Sequence, residues 1–182
     1  ACIAYFYAFK QELEKIPSVV EMREILAEAI TLDHFLKYQN GNLPAIFRPK
    51  IIDSSILQVD DFMDTQFYKS IDLNNESQLD YLENTIASYL QFLAFLKDET
   101  SVINHSYLWD AICDRNPRLM KDGVNLVILK MVDHDVTEKV QMVCPSNSYT
   151  SIPHDKNKMT IVLLVQDVYY EPIHIYEQYD AI

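Results

Sequence analysis

The sequence predicts an α+β fold: a helical N-terminal two-thirds packed on a mainly antiparallel C-terminal sheet of about four strands. Two observations carry most of this. Apolar side chains recur at three-to-four spacing as far as Arg115, and after Gly123 the spacing changes to two. A third sets the scale: 182 residues suit one core, so residues 1–182 are expected to form a single domain, excised from a longer protein because no Met opens it.

Residues 1–16 read as a helix, with Ile3, Phe6, Tyr7, Leu13 and Ile16 on one stripe, and Pro17 ends it. Ser18, followed three residues on by Glu21, has the form of a capping box and opens a helix predicted over 19–38. Asn40-Gly41-Asn42 supplies a turn, and Pro44 and Pro49 are expected to keep the next stretch irregular. Residues 50–75 carry Asp53, Asp60, Asp61, Asp64 and Asp72. Without the spacing and central glycine of a calcium loop, these read as a solvated acidic loop.

The helical period returns at Ser77 in Leu79, Leu82, Ile86, Tyr89 or Leu90, Leu93 and Leu96. Tyr81, Tyr89, Phe92 and Phe95 on that helix read as core. A shorter helix is predicted over 106–115, stopped by Pro117. Beyond Gly123, 124–132 is a nearly continuous apolar run, 136–144 alternates, 145–158 is a polar loop, 159–165 suits a central strand and 168–176 is a last strand. Pro172 cannot donate to a ladder, so that strand belongs at an edge or carries a bulge.

Composition narrows the chemistry. Fifteen Lys and Arg against 27 Asp and Glu leave a formal charge of −12, a surface that repels phosphate backbones and anionic membranes. Two glycines cannot build a phosphate-cradling loop or a dinucleotide fingerprint. Cys2, Cys113 and Cys144 lie far apart and are odd in number, which argues against a zinc ribbon or a disulfide scaffold and for a reducing compartment such as the cytoplasm. No HExxH or GxSxG is present, and no cofactor or metal is expected.

A nucleophilic cysteine needs a base and a lowered thiol pKa, which a helix N-terminus provides; Cys2 is the cysteine placed for it. Cys113 and Cys144 read as small buried side chains. Among His34, His105, His134, His154 and His174, only His174 sits where a rigid strand could hold a base.

The order of features carries a resemblance. Cys2 opens a helix, and a second helix reads Glu21-Met22-Arg23-Glu24-Ile25-Leu26-Ala27-Glu28-Ala29-Ile30. A long helix and Tyr107-Leu108-Trp109 follow, then Asn125-Leu126-Val127-Ile128 and a closing Tyr169-Tyr170-Glu171-Pro172-Ile173. In this order the chain resembles the ovarian-tumour (OTU) cysteine proteases, which remove ubiquitin; it also looks like segments of large proteins of giant DNA viruses. The resemblance implies a nucleophile at Cys2, although the family's preceding Asp-Gly pair is replaced by Ala1 alone. It places the catalytic base at the head of the last strand, before an aromatic residue, where this chain has Tyr169 followed by Tyr170. Glu171 falls at the position of the orienting Asp or Asn. A phenol, titrating near 10, is a poor base at neutral pH. His174 stands five residues further on, an odd offset that points to the opposite face unless a bulge at Pro172 restores the parity.

Two expectations follow from the resemblance. One is a degenerate module that binds ubiquitin, a ubiquitin-like protein or other domains of a parent protein, with Trp109, Tyr169, Tyr170 and Glu171 as contact residues. The other is an active ubiquitin-isopeptide protease using Cys2 with His174. A third reading, an acidic mimic competing for a basic partner, rests on charge alone.

Overall fold

The computed structural model describes residues 17–52, 57–131, 140–143, 154–167 and 169–173. These divide into two compact units, a helical one up to Ala111 and a sheet unit from Ile112 onward. The helix expected over 1–16 lies outside the described residues.

The helical unit opens with α1 (Val19–Ala29), and the capping box is present: Glu21 N–H donates to Ser18 Oγ at 3.2 Å, and the Ser18 amide donates to the Glu21 carboxylate at 2.6 Å. The helix does not run to Tyr38 as the spacing predicts. It stops at Ile30, and Thr31 starts α2 (Leu32–Lys37) with a cap of its own, in which Thr31 Oγ1 accepts from the His34 amide at 3.2 Å. His34 sits where a capping box usually has Glu or Gln, so the sequence signal for this second start is weak.

Next, Gln39, Asn40 and Gly41 all take positive φ, at 54°, 55° and 77°. Asp110 fixes this turn by accepting from the Gln39 amide at 2.9 Å. Pro44 then lies in the first turn of α3 (Leu43–Ile46), a place that suits its missing N–H, so the stretch is one helical turn instead of irregular chain. The acidic stretch carries a 3₁₀ turn (Val59–Phe62) and α4 (Gln66–Lys69), and Asp60, Asp61, Asp64 and Asp72 are all exposed.

The long helix α5 (Glu76–Lys97) is capped by the Asn75 side chain and buries Leu82, Ile86, Tyr89, Phe92 and Leu96. Around them, Phe35 and Phe47 approach Phe92 at ring-centroid distances of 5.4 and 4.9 Å. The Tyr89 hydroxyl donates to Ile30 O at 2.6 Å, and burial pushes its phenol pKa up. Tyr81, expected in the core, is 55% exposed, because its position on the helix lies outside the buried stripe.

Arg23 of α1 serves the other end of α5. Its guanidinium donates to Leu96 O at 2.7 Å, Phe95 O at 3.3 Å and Ser101 O at 3.4 Å, and also to Asp98 O. Phe95 and Leu96 are among the last four residues of the helix, whose carbonyls have no partner within it. Arg23→Met keeps much of the stem and removes these donors; a loss of about 2 kcal/mol is expected in urea denaturation. Arg23→Lys should restore only part of it, since an ammonium lacks the planar fork. Equal stability of wild type and Arg23→Met would refute the cap.

After α6 (His105–Cys113), the sheet unit contains β1 (Val124–Met131), β2 (Val140–Val143), β3 (Met159–Gln166) and β4 (Tyr169–Pro172) in the order β2-β1-β3-β4. The sheet is mixed: the two outer pairings are antiparallel, while the central pair, β1 with β3, runs parallel, with Leu126 opposite Ile161 and Ile128 opposite Leu163. Residues 132–158, which include β2, separate the two parallel strands in sequence, more than the dozen that a parallel neighbour requires. Val124, Leu126, Ile128, Ile161, Leu163 and Val165 bury one face. Buried Asn125 holds the turn that leads into β3, donating to Asp155 O at 2.7 Å and accepting from the Asp155 amide at 2.9 Å.

Pro172 lies on the outermost strand, as its chemistry predicts. The Ile173 amide donates to Val162 O at 2.9 Å, which makes 162 and 173 a hydrogen-bonded pair. By alternation Leu163 and Pro172 form a non-bonded pair, so the nitrogen of Pro172 faces away from β3 and no ladder bond is missing.

Candidate functional site

Cys2 and His174 lie outside the described residues, as do Cys144 and His134. The remaining expected site residues divide between the units. In the helical unit, Trp109 is 7% exposed on α6, with the His105 ring edge-on at 6.1 Å, which leaves its indole little surface to offer.

In the sheet unit, Tyr169, Tyr170 and Glu171 make up most of β4, the edge strand. Strand alternation puts Tyr169 and Glu171 on one face, both exposed, and Tyr170 with Pro172 on the other, both half-buried. Tyr169 is the first residue of the strand and 71% exposed, opposite Gln166 across a turn in which Asp167 takes φ 53°. Tyr169 is therefore an open phenol with the Glu171 carboxylate on the same face of a short edge strand.

The other histidines have ordinary surroundings. His34 closes the α2 cap through Nδ1, 3.4 Å from the Thr31 amide, and His154 Nε2 lies 3.1 Å from Thr160 Oγ1. Cys113, at the end of α6, is half-buried. Asp98, beyond α5, has its carboxyl pKa lowered, first by the Thr100 hydroxyl and then by the Thr100 amide, with Arg23 adding a smaller pull. Among the described residues, no three His, Cys, Asp or Glu gather as metal ligands, and no helix is long and apolar enough to cross a membrane.

The helical unit also holds a groove of about 620 Å³ that no sequence motif marks. One wall is the left-handed turn and α3, through Gly41, Pro44 and Arg48; the other is the first half of α5, through Ser77, Tyr81 and Asn84, with Thr85 and Ser88 as its floor. Ser77, Tyr81, Asn84 and Ser88 recur at four, three and four residues, a polar stripe of helical period beside the apolar one. That spacing is the signal by which the groove could have been read from the sequence. In comparisons with known proteins, no protein-family model, no curated protein and no solved structure matches the chain.

Proposed function

We propose that the chain is a recognition module on an ovarian-tumour-like scaffold, degenerate at the catalytic histidine, that binds ubiquitin, a ubiquitin-like protein or neighbouring domains without cutting them. The observation that supports this reading is Tyr169: the first residue of β4, at the position where the resemblance expects the base, is a phenol 71% exposed on an edge strand. A phenol does not draw a proton from a thiol at neutral pH, whereas an exposed aromatic beside a carboxylate is contact chemistry.

The test is intact-mass analysis after incubation with ubiquitin bearing a C-terminal thiol-reactive electrophile, beside a Cys2→Ala control. No Cys2-dependent adduct is expected from the folded protein. In a parallel titration with unmodified ubiquitin, Tyr169→Ala should weaken binding about tenfold. An adduct that disappears in Cys2→Ala would overturn the reading in favour of the active protease using Cys2 with His174. No measurable binding of ubiquitin would remove ubiquitin as the partner.

A further inference from the structure

We propose that the groove of the helical unit binds a short extended peptide segment carrying one basic and one acidic side chain, the basic one on Asp80 and the acidic one on Arg48. The inference rests on this unit alone and stands or falls separately from the fate of Cys2.

The groove is open because the positions that would fill it are small or polar. Thr85 and Ser88 are each 2% exposed, on turns of α5 where their apolar neighbours Leu82, Ile86 and Tyr89 form the core. Their hydroxyls turn back on the helix, donating at 2.8 Å to Tyr81 O and Asn84 O, so the floor presents acceptor lone pairs and no stranded donor. On the opposite wall, Gly41 and Ala45 add little bulk.

The lip is built at a cost. Left-handed backbone at Gln39 is unfavourable for a residue with a Cβ, while Asn40 tolerates it better, and both precede Gly41. A buried carboxylate, Asp110, holds the turn by its bond to the Gln39 amide. Strain of this kind, over-determined by its surroundings, is characteristic of ligand clamps.

The charges select the occupant. Arg48 and Asp80 are both exposed at the groove, and neither side chain makes a hydrogen bond or ion pair among the described residues. The Asn84 amide nitrogen donates to Asp80 O at 2.7 Å, leaving its oxygen to accept from a peptide N–H. The unit carries 6 Lys and Arg against 15 Asp and Glu over residues 17–111, a field that draws a cationic side chain in; Arg48 then requires a carboxylate beside it. A volume of about 620 Å³ falls within the range of ligand clefts, and walls this exposed suit an extended chain better than an enclosed small molecule.

The experiment uses the whole chain and capped hexapeptides containing one Lys and one Glu separated by zero to three alanines, in both orders. Lys-only, Glu-only and all-Ala peptides are run beside them. Amide spectra by NMR should show the Gly41, Asn84 and Ser88 resonances moving with at least one Lys/Glu peptide, and less or not at all with the controls. Asp80→Asn and Arg48→Gln, both surface changes, should each weaken that binding about fivefold, the first through the Lys and the second through the Glu. Lys-only binding equal to Lys/Glu binding, no shift at these resonances at millimolar peptide, or binding indifferent to both substitutions in spectroscopically folded variants would each overturn the proposal.

Discussion

Phe92→Ala is expected to destabilise the helical unit by about 4 kcal/mol, within the 3–5 kcal/mol found for emptying an aromatic site in a core. Phe92 is 0% exposed at the middle of the buried stripe of α5. Its ring meets Phe47 edge-on at 64° and Phe35 at 34°, and Phe47 in turn meets Phe95 and Tyr107 at 5.1 and 5.6 Å. Removing it leaves a cavity walled by rigid rings, which relax less than aliphatic chains, and breaks two aromatic contacts at once. Trp109, the only tryptophan in the sequence and buried in the same unit, gives a local fluorescence signal. With a slope of roughly 2 kcal/mol per molar urea, the midpoint should fall by about 2 M. Phe92→Leu retains most of the volume and should lose less than half as much. If the two variants lose equally, ring geometry, not filled volume, holds this core.

Gly123→Ala is expected to unfold the sheet unit or cost it more than 3 kcal/mol. Gly123 takes φ 73°, and its N–H donates to Met120 O at 2.9 Å immediately before β1. A Cβ here would overlap the Cys113 carbonyl oxygen and lie 3.1 Å from the Asp114 carbonyl carbon. Both are backbone atoms, so nothing can rotate aside. Gly41→Ala provides the comparison, because φ is 77° there but the nearest atom, Leu36 O, is 3.3 Å away; about 1 kcal/mol is expected. Amide exchange at Ile128 in β1 and Phe92 in α5 reads the two units separately. Equal costs at the two glycines would show that the close approach to Cys113 is absent.

These two positions were not equally legible. The apolar stripe that buries Phe92 could be read from spacing, as could the Ser18 cap, the α+β class, the exposed aspartates and the edge position of Pro172. Gly123 was visible as a boundary between two periods, but its contact with Cys113 depends on a loop closure that no local pattern encodes. The parallel β1–β3 pair is hidden for a similar reason: it arises because β2 pairs on one edge of β1 and β3 on the other, and no local pattern encodes which edge a strand takes. The break at Thr31 was hidden because His34 replaces the usual acidic partner of a cap. Of the candidate site, the resemblance alone singles out Tyr169, Tyr170 and Glu171, and exposure decides what they can touch. The groove carries no apolar signature: Ser77, Tyr81, Asn84 and Ser88 are polar, and the helix face that forms it is shaped by what it lacks.

The bond from Arg23 to Leu96 O spans 73 residues of sequence. Helix ends normally fray because their closing bonds are local and open one at a time. This end has local bonds too, Asp98 N–H to Ala94 O at 2.9 Å and Ser101 Oγ to Phe95 O at 2.6 Å, but the Leu96 carbonyl gains its Arg23 partner only once α1 has docked. During synthesis Arg23 emerges long before the carbonyls it serves, so this cap forms only when almost the whole unit has been made. The Arg23 bonds at the last turn of α5 thereby open together with the α1–α5 contact, which couples the two helices more tightly than the local caps alone would.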